Sequence, residues 1–325
     1  MMPNVITHGL LAQDVIQQLE PSSITESIQE YSQAYLFGSN GPDYLFYYYV
    51  LKPFKGYELN DVIPGLGNRI HNEKINEFYE AGIEWLKQLG NTEDDMIFKS
   101  YLAGHLTHWS LDSVAHPYVF HKTGIIEGDN RYHHFRMESM IDTLMVTIFK
   151  KGKLKDYPSY KFVKLTQKEK VVIAKGYQYI VRELFGLDLR LQVFLTAMDN
   201  MYLVLHFFMD ASSVKKNSIQ LFEKTILKNP WIITKHLVYG EADLKHDVLN
   251  LKHQEWTHPS HQDEVYTTSF IDMYHEAIDR GVEVLGKFQH DLDSNDKTLA
   301  DFIDGRRYDS GKNDSDPMLY FNIIY

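Results

Sequence analysis

Between Ala103 and Pro117 the chain reads AGHLTHWSLDSVAHP, and its apolar spacing predicts a helix. On a helix, His108, Asp112 and His116 stand at i, i+4 and i+8, one turn above another on one face. His105, three residues before His108, points the same way, while Leu106, Leu111, Val114 and Ala115 mostly face elsewhere and suit packing. Three imidazoles and a carboxylate aligned on one face are costly to bury unless something satisfies them. A divalent cation does so directly, because imidazole nitrogen and carboxylate oxygen are ordinary zinc ligands. The stretch therefore predicts a metal cluster whose remaining ligands come from elsewhere in the chain.

Composition narrows the donors. There are no cysteines, so disulfides and thiolate metal sites are both excluded, and any metal must be held by His, Asp, Glu and backbone groups. With 325 residues, 44% of them hydrophobic and 14% aromatic, the chain has the makings of a folded globular protein with a large core. A formal charge of −11 argues against wholesale attraction to nucleic-acid phosphates or anionic membrane surfaces. Bound dications would offset several of those charges locally. No run of apolar residues is long enough to span a bilayer. The nearest, Val193 to Met209, is interrupted by Asp199, Asn200 and His206 and is expected to be a helix of the protein core. The opening MMPNVITHGLLAQDVI lacks a basic region ahead of an apolar one, which sets a cytoplasmic location as the expectation.

Helical periodicity runs through Leu10–Leu19, Ile70–Leu89, Met96–Val119, Met137–Phe149, Val171–Leu187, Leu189–Met209, Ile219–Leu227 and Phe270–Leu285. Ser22-Ser23-Ile24-Thr25-Glu26, Asn91-Thr92-Glu93 and Thr166-Gln167-Lys168-Glu169 have the form of helix starts. Strand alternation is hard to find. The fold class is thus all-α, read as a single α-helical domain over 1–325, with ligand motifs in 5–145 and a helical second half over 160–325. Gly38 to Asp43 is a turn cluster, and Pro53 to Gly67, with two prolines and three glycines, reads as a loop. The end of the chain, LYFNIIY, is apolar enough to dock on the body.

Further donors are available. His134 and Glu138, in HHFRMESMID, repeat the i, i+4 device on a second helix. Asp43 ends a Gly-Pro-Asp turn that can aim an acid inward. His71 is expected in the first turn of a helix, whose positive end favours neutral imidazole. His8 lies just before the first helical stretch. Each has an ordinary reading as well: a core or surface histidine, a solvated ion pair, a turn aspartate. His105 is expected beside the ligands rather than among them, and His121 and His133 at the surface. Tyr44, Tyr47, Tyr48 and Tyr49 can wall a pocket, with plain packing the favoured reading. The histidines of Trp256-Thr257-His258-Pro259-Ser260-His261 receive no role. His246-Asp247 and His290-Asp291 match the HD dipeptide of another phosphohydrolase superfamily, but that superfamily's ordered partners are not found around either.

Taken in order, THGLL, GSNGPD, GHLTHWSLDSVAHP and HHFRMESMID resemble the zinc-dependent phospholipase C family, and more distantly the zinc nucleases that cut single strands. The likeness covers roughly residues 5 to 145, and the combination of an early His, a GPD turn, HxxxDxxxHP and HxxxE is specific where each piece alone is weak. It implies an all-helical fold with a trinuclear zinc site. By that pattern Asp43, His71, His108 and Asp112 hold one metal, His116, His134 and Glu138 a second, and His8 a third to which Asp112 bridges. Two departures stand out. The Asp112 to His116 spacing is shorter than in secreted members. Their mature N-terminal tryptophan, a ligand to the third metal through backbone atoms, is replaced here by Met1-Met2-Pro3, whose amine could substitute. Two zinc ions are therefore expected, with the third site left open.

Such a centre implies hydrolysis of a phosphoester, with two zincs about 3.5–4 Å apart sharing a hydroxide and gripping the phosphate. Asp43 is the expected catalytic group, orienting or deprotonating the water. The family suggests release of a phospholipid head group. Nuclease or nucleotide phosphoesterase activity on the same site is the first alternative, although no stable nucleic-acid complex is expected at this charge. A non-catalytic helical protein with structural metals is the second. An open coordination position separates catalytic from structural sites.

Overall fold

A computed structural model describes residues 5–48, 62–128, 130–210, 246–294 and 296–324, with residues 221, 224, 225, 238 and 239 between them. The chain is all-α. Its helices are α1 (Val5–Ile16), α2 (Ser23–Glu30), α3 (Ser32–Gly38), α4 (Val62–Asn72), α5 (Ile75–Leu89) and α6 (Glu93–Thr123). They continue with α7 (Asn130–Leu144), α8 (Gln167–Phe185), α9 (Leu191–Phe208), α10 (Phe270–Asp293) and α11 (Thr298–Ile303). Among the described residues, strand is confined to two-residue pairs. β1 (Met209–Asp210) pairs in parallel with β2 (Val238–Tyr239), and β3 (Trp256–Thr257) pairs antiparallel with β4 (Val265–Tyr266).

The starts follow local chemistry. The hydroxyls of Ser22, Thr92, Thr166 and Ser269 accept from the amides of Thr25, Asp95, Glu169 and Asp272, satisfying donors that a helix leaves free. Glu169 and Asp272 reach back to complete capping boxes, whereas at Ser22 the returning partner is Thr25 and not an acid.

α6 is the axis of the molecule. Its 31 residues make a rod of about 46 Å, and almost every residue from Ile97 to Thr123 is buried, as expected of a helix covered on all sides. α2, α3 and α10 pack most extensively against it, with α1, α7 and α8 also in contact. The crossing of α3 over α6 requires glycine on both partners. A Cβ on Gly38 would strike the Tyr101 carbonyl oxygen, and one on Gly104 the Tyr35 carbonyl oxygen. The backbones thus meet directly, placing the turn after α3 against the middle of α6.

Several boundaries differ from the sequence reading, each with a local cause. α1 starts at Val5, so His8 lies inside it and not ahead of it. The stretch read as a loop ends in α4, with Pro64 tolerated in its first turn and His71 in its last. The single periodic run Ile70–Leu89 is broken at Lys74, whose φ of 56° interrupts the helix before α5 begins. α7 stops at Leu144 and continues as a π-helical turn, Met145–Phe149. α9 buries Phe194, Met198 and Met201 while Leu203 is exposed, so one face of it is core. Among the described residues no helix is long and apolar enough to cross a membrane. Residues 53–61 and Tyr49 lie outside the described residues, as does most of Ile219–Leu227.

The last residues dock by main-chain pairing. Asn322 and Ile324 donate to the carbonyls of His121 and Lys122 at the end of α6, leaving Leu319 and Ile323 exposed. The HD dipeptides have structural work. Asp247 accepts from the amides of Leu251 and Lys252, and Asp291 from Thr298 and Leu299 at the start of α11.

The α3–α6 crossing yields a paired test by urea denaturation. Gly104→Ala is expected to lose about 1–3 kcal/mol, because the obstructing atom is backbone and cannot swing away. Gly286→Ala, inside α10 with open space around its Cβ position, should gain about 0.5–1 kcal/mol. Equal midpoints for the two variants would contradict the crossing geometry.

Candidate metal centre

His108, Asp112 and His116 are all buried on α6, one helical turn apart. The His108 Nε2 is 3.0 Å from Asp112 Oδ2, and His116 Nδ1 is 3.5 Å from the same oxygen. The other Asp112 oxygen, Oδ1, lies 3.1 Å from Nε2 of His8 on α1. Asp43, at the start of a 3-10 turn (Asp43–Tyr47), approaches His71 Nε2 at 3.2 Å and His108 Nε2 at 4.0 Å. On α7, His134 Nε2 is 3.3 Å from Glu138 Oε1, which is 3.5 Å from His116 Nε2. The donors fall into three buried groups: His8–His108–Asp112, Asp43–His71–His108 and His116–His134–Glu138, each with its ligand atoms within 4.8 Å of one another. His108 belongs to two of them. The family pattern grouped Asp112 with Asp43, His71 and His108 and also had it bridge to His8; the donor groups have Asp112 with His8 and His108. The Met1 amine lies outside the described residues.

Local structure explains how these side chains converge. Gly41, in the turn after α3, has φ of +50°, and a Cβ there would collide with the His108 ring. Glycine thus lets the Gly-Pro-Asp turn close over His108 and deliver Asp43. α7 carries a second acid, Asp142, one turn beyond Glu138. Its carboxylate accepts from the amides of Ile6 and Thr7 and from the Thr7 hydroxyl, at 3.1, 2.8 and 2.7 Å. Those are among the free amides of the α1 N-terminus, so Asp142 anchors the helix that bears His8. Burial nevertheless pushes the Asp142 carboxyl up to about 6.

The chemistry of the donors fits a divalent cation. Each of the eight residues carries at least one fully buried nitrogen or oxygen with no hydrogen-bond partner, among them Nε2 of His71, His108 and His134 and both oxygens of Glu138. Those of Asp43, His71, His108, Asp112, His116 and His134, with Glu138 Oε1, face one another without the alignment of hydrogen bonds, and His8 approaches Asp112 through Nε2. Their spacing matches the roughly 3.4 Å between ligands of a tetrahedral zinc. The imidazoles are also set in the tautomer a metal needs. Nδ1 of His71 faces the Gly67 carbonyl at 2.8 Å and Nδ1 of His108 the Ser39 carbonyl at 3.2 Å. A carbonyl only accepts, so Nδ1 holds the proton and the Nε2 lone pair is free. His134 Nδ1 meets Thr123 Oγ1 at 3.2 Å, and that hydroxyl donates to Val119, leaving it to accept.

Other positions divide. His105 is buried outside the donor groups. Its Nδ1 meets the Tyr79 hydroxyl at 3.0 Å and its Nε2 the Tyr177 hydroxyl at 3.2 Å, and Tyr79 bonds in turn to Tyr308 at 2.7 Å. Tyr44, Tyr47 and Tyr48 are packed in the core. His121 is buried, not at the surface, because the chain end covers it and its Nδ1 meets the Tyr320 carbonyl. His133 is half-buried. His258 is buried against the Ser310 carbonyl. Sequence reasoning missed Asp142, although it continues the His134–Glu138 spacing by one more turn. It also missed Tyr308 and Asp309, which no local pattern connects to the centre.

Without a cation, His71 and His116 hold protons. Burial lowers His71 and His116, but the carboxylates Asp43 for His71 and Asp112 and Glu138 for His116 outweigh it, raising them to about 9 and about 10. Burial raises Glu138, yet His134 and His116 bring it down to about 2, and His108 and His116 hold Asp112 well below the carboxylate range. For a histidine whose folded pKa exceeds its unfolded value of about 6.5, the stability gained is complete below that value and lost as pH rises through the folded pKa. The melting temperature of chelator-treated protein should therefore fall progressively between about pH 7 and pH 10. A flat profile over that window would show that His71 and His116 are not protonated there.

A family model described as zinc-dependent phospholipase C matches residues 7–189, a stretch that includes all eight donors. No curated protein and no solved structure matches the chain. The family match spans more than half of the 325 residues. The chain belongs to the zinc-dependent phospholipase C family.

Proposed function

We propose that this protein is a zinc-dependent phosphoesterase that hydrolyses the phosphodiester of a phospholipid head group, with His8, Asp43, His71, His108, Asp112, His116, His134 and Glu138 as metal ligands. The observation that carries the reading is the set of eight buried His, Asp and Glu side chains whose ligand atoms converge in three groups. Buried polar atoms normally find partners, and neutral imidazoles beside carboxylates are a donor set suited to zinc. Bound zinc would supply a Lewis acid for the phosphoryl oxygens and acidify a coordinated water.

The chain's own groups then have distinct tasks. Gly67, Ser39 and Thr123 fix the rings of His71, His108 and His134 through Nδ1, so the Nε2 atoms are aimed before any cation arrives. Asp112 and Glu138 are 1% exposed and act inside the centre, whereas the Asp43 side chain is 10% exposed. Asp43 is thus the most accessible of the three donor acids. Asp43 would orient the attacking water and take its proton as the water oxygen bonds to phosphorus and the P–O bond to the leaving alcohol breaks, the proton then passing to the departing oxygen.

Elemental analysis and turnover test this reading together. Purified protein should carry about two zinc ions per chain and cleave an aryl phosphodiester and phosphatidylcholine vesicles, with both activities lost on chelation and restored by zinc. His108→Ala and Asp112→Asn should lower kcat/KM by roughly 100-fold or more, while exposed His290→Ala stays near wild type. Equal losses in all three variants, or metal-free protein melting like the zinc-loaded form, would defeat the assignment.

A further inference from the structure

The family-matched region ends at residue 189, yet the segment after α11 closes over the donors. The Tyr308 amide donates to the His71 carbonyl at 3.1 Å. Its ring lies 5.0 Å from His71 and 5.6 Å from His108, and the Trp109 indole donates to the Arg306 carbonyl at 2.8 Å. The next residue, Asp309, is thus held in place from its neighbours. Its Oδ2 accepts from Asn72 Nδ2 at 2.7 Å, which leaves Oδ1 directed at His116 Nδ1, 3.9 Å away.

Three features set Asp309 apart from an ordinary surface acid. It sits between donor groups, since Asn72 adjoins His71 of one group while His116 belongs to another. It has no lysine or arginine partner among the described residues, and its ion-pair contact is His116. Its side chain is 26% exposed, so it is accessible to solvent where Asp112 and Glu138, at 1%, are not. Charge balance agrees. The eight donors include three carboxylates, one negative charge short of balancing two dications, and Asp309 supplies a fourth.

We propose that Asp309 is a further acidic residue of the metal centre, supplied by the C-terminal segment, which strengthens cation binding at the His116–His134–Glu138 group and ties that segment to the body when the cation is bound. This rests on the reading of the centre as zinc-binding. Asp309 acts through His116 and the local field, as a positioning residue.

The test measures zinc affinity by competition with a chromogenic chelator, and amide exchange over residues 304–313 with and without zinc. It compares wild type, Asp309→Asn, Asp309→Glu and Asp309→Ala. Asp309→Asn keeps an oxygen for Asn72 but loses the charge. It should weaken one class of zinc sites roughly 10- to 100-fold with the metal-free melting temperature unchanged, and should lose most of the zinc-induced protection of 304–313. Asp309→Glu should remain within a few-fold of wild type. Wild-type affinity and protection in Asp309→Asn would overturn the proposal. So would weakening in Asp309→Ala alone with a lowered metal-free melting temperature, because Asp309 would then be only a structural peg for Asn72. A wild-type protein that binds no zinc would overturn the zinc-binding reading itself, a result distinct from either.

Discussion

Removing a polar atom from water without giving it a partner costs on the order of 1–3 kcal/mol, and this protein places such atoms from eight side chains against one another in its interior. Surrounding packing prevents the usual escape of rotating outward. α6 is covered along nearly its whole length, and His108 and His134 are fully enclosed. Protons relieve part of the cost in the metal-free state, where acids and imidazoles form a buried charge network. A divalent cation relieves more, because one ion accepts several lone pairs and cancels the carboxylate charge.

The fold and the centre are therefore one problem. His8 is positioned because Asp142 holds the first amides of α1. Asp43 is positioned because Gly41 turns the chain in a conformation that leaves room for the His108 ring. His71 comes from the last turn of α4, fixed through the Gly67 carbonyl on one side and Tyr308 on the other. The donors arise from separate stretches, so a cation held by them would bind those stretches together, and part of its binding energy would appear as folding stability. The His105–Tyr79–Tyr308 network continues the same packing outward and joins the far end of the chain to the middle of α6.

Much of this was legible in the sequence because it was written locally. Helical spacing alone lined up His108, Asp112 and His116, and again His134 and Glu138. Thr92 and Thr166 marked helix starts that the structure uses. What escaped depended on tertiary context. Periodicity over Ile70–Leu89 hid a break at Lys74, since a left-handed residue leaves the apolar spacing almost intact. That misplaced His71 by most of a helix, from its first turn to its last, and reversed the argument from the helix dipole. His121 read as exposed because the strand of chain covering it lies about 200 residues away in sequence, as its 199-residue separation from Tyr320 shows. Asp309 carries no local motif, and its neighbourhood with His116 exists only after the last helix has returned to α6.

Anomalous scattering at the zinc edge, from crystals of zinc-loaded protein, examines the central claim most directly. The account requires peaks lying among the free Nε2 and carboxylate atoms of His71, His108, His134 and Glu138. Zinc found instead only at the half-exposed His261–Asp314–Asp316 group, with the eight interior donors left to one another, would contradict it.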